Sequence, residues 1–392
     1  ARYLSRKGHK VTIIACMFHH LERAIPSRFR GKKLFEEEID KVKILWVYSH
    51  PYSKNDIWRV INFVDFGIRS FLVGLRLPHQ DIVLASSPHL ITGISGYLLS
   101  TIKRSHFVFE VRDLWPETLI VLGGLKNKPL IWLLEKVERF LYDKARRIIV
   151  LTKGIEEKIL QKKIPPEKIS FIPNGIDLES FVEIEGREVT RERYNFTDKF
   201  ICMYAGAHGQ ANALDVIIQT AKILRNYPEI FLVLLGDGPE KDRLMDLARK
   251  ANLTNVIFKN PVSKKKIPDL LASSDVTIAT LAKVELFKGA RPNKLFDYMA
   301  SGRPLICAIW GEASRVVEEA EAGICVEPEN PQAMAEAILR LYNNPELRKR
   351  LGQNGRRYIF SNCSREVLAS QIENILKCLI LQSKEKEGLN ER

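Results

Sequence analysis

Apolar residues in this chain come in short blocks separated by amphipathic stretches, and the two alternate almost from end to end. Residues 11–16, 42–48, 81–86, 106–111, 148–152 and 169–172 predict strands in the first half. Residues 201–205, 230–235, 256–259, 276–279, 305–308 and 323–326 predict strands in the second. Residues 90–100, 130–142, 214–224, 331–359 and 365–382 carry helical spacing, with Pro331 and Pro345 suited to helix starts. Strands that alternate with helices build parallel sheets, so the fold class is α/β. Residues 17–40, with the acidic run Glu36-Glu37-Glu38, read as irregular.

Two stretches depart from this rhythm. Residues 1–7 read as the end of a helix that Gly8 stops. A helix so early has no preceding strand, so about 30 residues of a βαβ unit are expected to be missing ahead of it. The alternative is a domain that begins with a helix. Residues 57–77 predict a helix in which large apolar residues, from Trp58 and Val60 to Leu72 and Leu75, surround only Arg59, Asp65, Arg69 and Arg76. It is expected in the core of the first domain, with an interfacial membrane helix as the alternative.

A chain of 392 residues exceeds what one core usually supports, so two domains are expected. Pro173-Asn174-Gly175 is a turn sequence and marks the boundary. The expected division is 1–173, 174–362, a closing helix 363–383 and a charged, disordered tail 384–392. Apolar content of 45% and charged content of 28% fit a soluble globular protein. No apolar run is long enough for a spanning helix, and no secretory signal opens the chain. The six cysteines form no C-x-x-C pair, which points to reduced thiols in the cytoplasm rather than zinc ligands.

The formal charge of +14 is unevenly spread. Residues 1–175 hold 30 Lys and Arg against 17 Asp and Glu, while residues 176–392 hold 31 against 30. A one-sided positive surface attracts anionic lipid headgroups, pyrophosphate or nucleic acid. Aromatics are not interleaved with the basic residues as a single-strand platform requires, so no nucleic-acid partner is expected. An anionic inner-membrane surface is the expected partner.

Residues 291–302 carry the candidate chemistry. Pro292 precedes Leu295, Phe296 and Met299 at helical spacing, which puts Lys294 and Asp297 on one helix face. A helix N-terminus is an anion site. A Lys in its first turn and a carboxylate one turn on suit a nucleotide diphosphate and its ribose. An ordinary amphipathic helix with a solvated charge pair fits the same residues. Upstream, Gly206-Ala207-His208-Gly209 follows one strand and Gly236-Asp237-Gly238-Pro239 another. Glycines in the first loop would let the backbone approach a diphosphate. The second more plainly shapes a turn. On the first half, Arg112-Asp113 ends a strand and leads into Trp115-Pro116-Glu117.

This ordered set, with Ile172-Pro173-Asn174-Gly175-Ile176-Asp177, resembles a family 4 glycosyltransferase over nearly the whole chain. The likeness is greatest to bacterial members that build O-antigen and capsule repeats, such as amino-sugar transferases. The resemblance implies a GT-B fold: two Rossmann-like domains facing a cleft, with a crossover helix. The acceptor would bind the first domain and a UDP-sugar the second. It implies retaining transfer to a polyprenyl-diphosphate-linked or glycan acceptor, with no cofactor and no metal.

By the same resemblance, donor-binding falls to Gly206, Ala207, His208, Gly209, Arg291, Asn293, Lys294, Leu295, Asp297 and Val262, with Val262 and Ser263 under the uracil. Arg112, Asp113 and Lys294 would be catalytic, and Asp113 and Glu117 would orient the acceptor. The family's loop Arg and Lys fall at Ala207 and Asn212 here, and the first of its paired glutamates at Gly289. A nucleotide-sugar epimerase of the same fold and a non-catalytic relative are the alternatives. A nicotinamide dehydrogenase would need a G-x-G-x-x-G after an early strand, and none is present.

Overall fold

The computed structural model describes all residues except 21, 54–56, 122–123, 183, 185 and 391–392, and only the backbone of 383–390. The chain divides into two compact units, Ala1–Pro173 with Glu366–Arg392, and Asn174–Arg365.

In unit 1, α1 (Arg2–Arg6) ends at Gly8 and leads into β1 (Thr12–Cys16), β2 (Leu34–Ile39) and β3 (Val42–Val47). There follow α2 (Ile57–Leu75), β4 (Ile82–Ser86), α3 (Leu90–Lys103), β5 (His106–Val111), α4 (Glu117–Val121), α5 (Lys128–Lys144), β6 (Arg147–Val150), α6 (Lys153–Gln161) and β7 (Ile169–Phe171). The strands make two sheets. One is the parallel ladder β4-β5-β6-β7, and the other is β1-β3-β2, with β2 antiparallel to β3. The acidic run expected to be irregular is therefore the edge strand β2. Its charges are answered across the ladder: Glu36 pairs with Lys43 at 2.8 Å and Glu37 accepts from Trp46 Nε1 at 2.5 Å. Strand propensity counted residue by residue does not see such partners.

Helix α2 corrects the expectation of a core helix. It turns Asn62, Gly67, Ser70 and Gly74 inward and leaves Ile57, Val60, Ile61, Val64, Ile68 and Leu72 exposed. Close packing selects the small residues. A Cβ on Gly67 would lie 2.5 Å from Ile91 Cγ2, and one on Gly74 2.5 Å from Leu99 Cδ2, both on α3. Asn62 donates to Ser49 Oγ and to the His50 carbonyl, each at 2.7 Å. The exposed apolar face continues onto α3 with Leu98 and Ile102, and onto α5 with Leu130, Trp132, Leu133 and Phe140. Among the described residues no helix is long and apolar enough to cross a membrane.

Unit 2 runs α7 (Arg187–Tyr194), β8 (Phe200–Ala205), α8 (Asp215–Ile223), β9 (Ile230–Leu235), α9 (Lys241–Lys250), β10 (Val256–Lys259), α10 (Ile267–Ser273) and β11 (Val276–Thr280). It continues with α11 (Asn293–Ala300), β12 (Leu305–Ala308), α12 (Glu312–Glu319), β13 (Gly323–Cys325), α13 (Pro331–Tyr342) and α14 (Pro345–Asn362). Its six strands form one wholly parallel sheet in the order β10-β9-β8-β11-β12-β13. Every residue of β8, β11 and β12 is buried, as a sheet covered on both faces requires. Along β8, Ile201, Met203 and Ala205 join one core cluster while Phe200, Cys202 and Tyr204 join the other.

The closing helix α15 (Arg365–Asn390) belongs to unit 1 from Glu366 on. Leu368 and Leu379 pack with Val108, Ile149 and Ile172. Buried Glu373 meets His9 Nε2 at 2.9 Å and Lys377 at 2.7 Å. The helix extends to Asn390, so residues 384–390 of the segment expected to be a disordered tail are helical, and 391–392 lie outside the described residues. Helix continuity from the packed turns outweighs the charged composition there.

Candidate active site in unit 2 and its counterpart in unit 1

Two loops leave the carboxyl ends of neighbouring strands β8 and β9 and interlock. Gly206 N donates to Leu235 O at 2.9 Å, His208 N to Asp237 O at 2.8 Å, and Glu240 N to His208 O at 2.9 Å. Gly236 and Gly238 have φ of 145° and 156°. A Cβ on Gly236 would fall 1.9 Å from Gly206 O, and one on Gly238 2.5 Å from His208 O. The 236–239 segment thus acts through the backbone, shaping the loop that follows β8. His208 is wholly buried in this crossing, and neither ring nitrogen has a partner among the described residues. Burial, with Lys241 and Lys294 nearby, pushes its pKa down to about 4, so it is a neutral imidazole at physiological pH.

Lys294 rises from the first turn of α11 into this loop. Its ammonium donates to Asn212 Oδ1 at 2.5 Å and to the Tyr204 hydroxyl at 2.9 Å. It has no carboxylate partner among the described residues, so the solvated charge pair is not what forms. Loss of water pulls its pKa down from the ordinary lysine value to about 7. A cation stripped of water interacts strongly with an arriving anion. Asn212, where the resemblance expects a second Lys, instead orients Lys294. It is held in turn by Thr280, whose hydroxyl donates to the Asn212 carbonyl at 2.5 Å. Gly206 keeps the approach to Lys294 open, since a Cβ there would sit 3.6 Å from Nζ and 3.1 Å from the Tyr204 hydroxyl. Asp297 lies one turn on, without an ion-pair partner among the described residues. Burial raises its pKa to about 6 against the pull of Lys264 and Arg365.

The other expected donor residues divide. Ala207 offers its carbonyl to the Tyr204 hydroxyl at 2.7 Å, and Gly209 caps the short turn that carries Asn212. Asn293 is exposed at the start of α11. Leu295 turns its side chain inward. Its side chain is fully buried in the core and its N–H is spent on Pro292 O at 3.0 Å. Arg291 is a packed residue, with its guanidinium 4.8 Å from the Phe296 ring and 4.0 Å from Glu312. Val262 packs on the same core beyond β10. Lys294 is therefore the cation that the loop presents. Tyr204 heads the Gly206-Ala207-His208-Gly209 motif in the sequence but has no role in the sequence reading, because it stands there as the end of an apolar block.

In unit 1, Arg112 and Asp113 follow β5. Arg112 N and Asp113 N both point to Ser87 Oγ, at 2.8 and 3.5 Å, which ties this loop to the one after β4. Neither side chain makes an ion pair among the described residues. Although the residue is exposed, the surroundings of its carboxyl push the pKa of Asp113 up, against the pull of Arg112. Glu117 is spent elsewhere, 3.1 Å from Lys158 Nζ.

Family profiles match both units: the glycosyl transferase 4-like domain over residues 1–175 and glycosyl transferases group 1 over residues 186–358. The chain is 23% identical over 347 residues to the putative colanic acid biosynthesis glycosyl transferase WcaI of Escherichia coli K12, covering 86% of this chain and 85% of that one. It is 25% identical over 335 residues to the capsular polysaccharide biosynthesis glycosyltransferase CapM of Staphylococcus aureus, covering 82% and 83%. Among solved structures, sucrose-phosphate synthase from Thermosynechococcus elongatus superposes with a TM-score of 0.77 at 17% identity, over 97% of this chain and 92% of that one. HepE from Anabaena, in complex with UDP-glucose, gives 0.69 at 15% identity over 86% and 87%. Two glycosyl transferase profiles in tandem, on two α/β units with a lysine-bearing loop at the carboxyl edge of the second, make this chain a member of the group 1, family 4-like glycosyltransferases with the GT-B fold.

Proposed function

We propose that this protein transfers a sugar, an N-acetylated amino sugar, from a UDP-sugar to a polyprenyl-diphosphate-linked or glycan acceptor during surface polysaccharide synthesis. The observation that carries the reading is Lys294, desolvated and held by Asn212 and Tyr204 at the mouth of the β8 loop. It meets the diphosphate together with the first amides of α11. Asp297 accepts from the ribose hydroxyls. The relatives' roles in colanic acid and capsule synthesis, and the UDP-glucose bound by HepE, support the class of donor and pathway.

The reaction needs no protein nucleophile. The bond from the sugar's anomeric carbon to the diphosphate oxygen breaks, and negative charge collects on the leaving UDP. Lys294 and the α11 amides stabilise that charge. The acceptor hydroxyl oxygen bonds to the same carbon on the face the diphosphate leaves, and its proton passes to the departing phosphate oxygen. The configuration is thereby retained, and no step calls for a metal. Asp113 and Arg112 orient the acceptor in unit 1.

The protein works at the cytoplasmic face of the membrane. Support comes from the outward apolar side chains of α2, α3 and α5 and the cationic excess of residues 1–175. Exposed apolar side chains beside basic residues suit an anionic membrane surface. The test is a thermal-shift titration with UDP, GDP, ADP and NAD, followed by UDP release with and without lipid-linked acceptor. Selective stabilisation by UDP and acceptor-dependent release are expected. UDP release that ignores acceptor, or a product epimerised at one carbon, would overturn transfer in favour of epimerisation.

A further inference from the structure

Ring side chains collect beyond the carboxyl ends of four unit 1 strands. Phe18 and His20 follow β1, Tyr52 follows β3, His89 follows β4 and Trp115 follows β5, while Phe63 joins them from α2. Phe63 and His89 stack with centroids 3.7 Å apart, and Trp115 meets His89 edge-on at 5.3 Å. His20 lies 6.1 Å from each of Phe63 and His89, and Phe18 lies 4.7 Å from Tyr52. Phe18 and Tyr52 are buried and form a floor, whereas Phe63, His89 and Trp115 are half-open and His20 is exposed.

The polar atoms of this cluster are not those of a finished core. His20 Nδ1 lies 3.1 Å from the Tyr52 hydroxyl. His89 Nδ1 and Arg59 Nε are buried with no partner among the described residues, and the Arg59 guanidinium sits 5.4 Å from the Phe63 ring. Buried polar groups are normally paired, so these invite a ligand. Burial, His20 and Arg59 hold the His89 pKa down at about 4, which leaves a neutral ring with one donor and one acceptor. Neutral imidazoles beside open aromatic faces suit a molecule with an apolar face and a rim of hydroxyls. Ligands of parallel sheets bind at this edge of the strands. Ser87, which anchors Arg112 N, lies two residues before His89 and fastens the cluster to the Arg112-Asp113 loop.

We propose that Phe63, His89 and Trp115, with His20 and Tyr52, form a sugar subsite that holds a neutral pyranose ring of the acceptor, stacked on the aromatic faces and hydrogen-bonded to the imidazoles. The proposal rests on the transferase reading in taking the sugar to be the acceptor. It assigns recognition of the acceptor's sugar ring to stacking and neutral hydrogen bonds, beside the charged Arg112 and Asp113 that orient the acceptor.

Saturation-transfer NMR on the full chain with UDP present tests it, using the methyl glycosides of glucose, galactose, N-acetylglucosamine and N-acetylgalactosamine. At least one glycoside is expected to receive saturation from the protein's aromatic protons. Phe63→Ala and Trp115→Ala should each weaken it at least tenfold, Trp115→Phe should retain most of the binding, and His89→Gln should cost several-fold. With lipid-linked acceptor, the same variants should raise acceptor KM more than they lower kcat. A wild-type near-ultraviolet circular dichroism spectrum and an unchanged unfolding midpoint show that unit 1 of each variant is folded. The conservative Trp115→Phe and His89→Gln keep the test decisive if an alanine variant is not. Binding unchanged in folded Phe63→Ala and Trp115→Ala overturns the subsite. So does the absence of any glycoside signal from wild type that binds UDP, or displacement of the glycosides by adenosine at lower concentration. Failure of wild type to bind UDP strikes instead at the transferase reading.

Discussion

The two units use the same strand-and-helix alternation to opposite ends. Unit 2 closes its apolar residues around one continuous parallel sheet whose three central strands are wholly buried. Unit 1 splits its strands into two sheets and leaves thirteen large apolar side chains of α2, α3 and α5 exposed. Its residues 1–173 also lie within the half of the chain that carries nearly all the excess positive charge. A unit that satisfies itself can hold a precise, water-poor anion site. A unit that does not is arranged around something else, which on our reading is a membrane surface and a glycan.

The largest expected break in this contrast is Lys294→Ala. Turnover should fall by roughly one to three orders of magnitude, as for other single charge donors, in an assay of UDP release. Wild-type turnover would end the phosphate role. The same site should show a trade between activity and stability. The folded pKa of about 7 lies below the unfolded value of about 10.4, so the unfolded chain binds more protons between them and stability rises with pH across that window. Below pH 7 the buried ammonium costs stability, and Lys294→Met should raise Tm at pH 6.5, by about 2–4 °C for each kcal/mol recovered.

Next in size is Gly236→Ala, which introduces a Cβ where the Gly206 carbonyl stands. It should cost about 1–3 kcal/mol in denaturant unfolding and weaken UDP binding with it. An unchanged midpoint would mean that the two loops do not interlock in solution.

The membrane side is sharpened by Ile61→Glu with Ile68→Glu and Leu72→Glu. All three positions are exposed, so the unfolding midpoint should stay within about 1.5 kcal/mol of wild type. Binding to vesicles containing anionic phospholipid should drop at least tenfold while UDP still binds unit 2. Undiminished sedimentation with vesicles would remove the α2 face from the proposal.

The smallest effect expected is a pH slope. UDP affinity should decline several-fold as pH rises above about 7, where Lys294 loses its proton in the free protein, and Lys294→Arg should flatten that limb in calorimetric titrations. Below about pH 6, protonation of Asp297 should remove an acceptor for the ribose and bring affinity down on the acid side. Asp297→Asn should erase that acid limb.

Most of the elements were legible because β8, β9 and β12 of unit 2 are unbroken apolar blocks and its helices repeat every three to four residues. Lys294 and Asp297 could be placed on one helix for the same reason. Their partners could not. Tyr204 and Asn212 lie 90 and 82 residues from Lys294 along the chain, and only the β8–β11 pairing of unit 2 and the seat of α11 bring them within reach. Leu295 looked like a donor contact from its motif position, yet the turn of α11 drives its side chain into the core.

What the sequence determined alone was the alternation, and with it the α/β class, the turn at Pro173-Asn174-Gly175 and the family likeness. These are local or ordered along the chain, so periodicity and motif order carry them. Which face of an apolar helix points inward was decided only by the tertiary structure. In α2 the small residues won the interior because α3 approaches too closely for anything larger. The five rings of the proposed sugar subsite come from separate loops and a helix, and no spacing in the sequence announces their meeting.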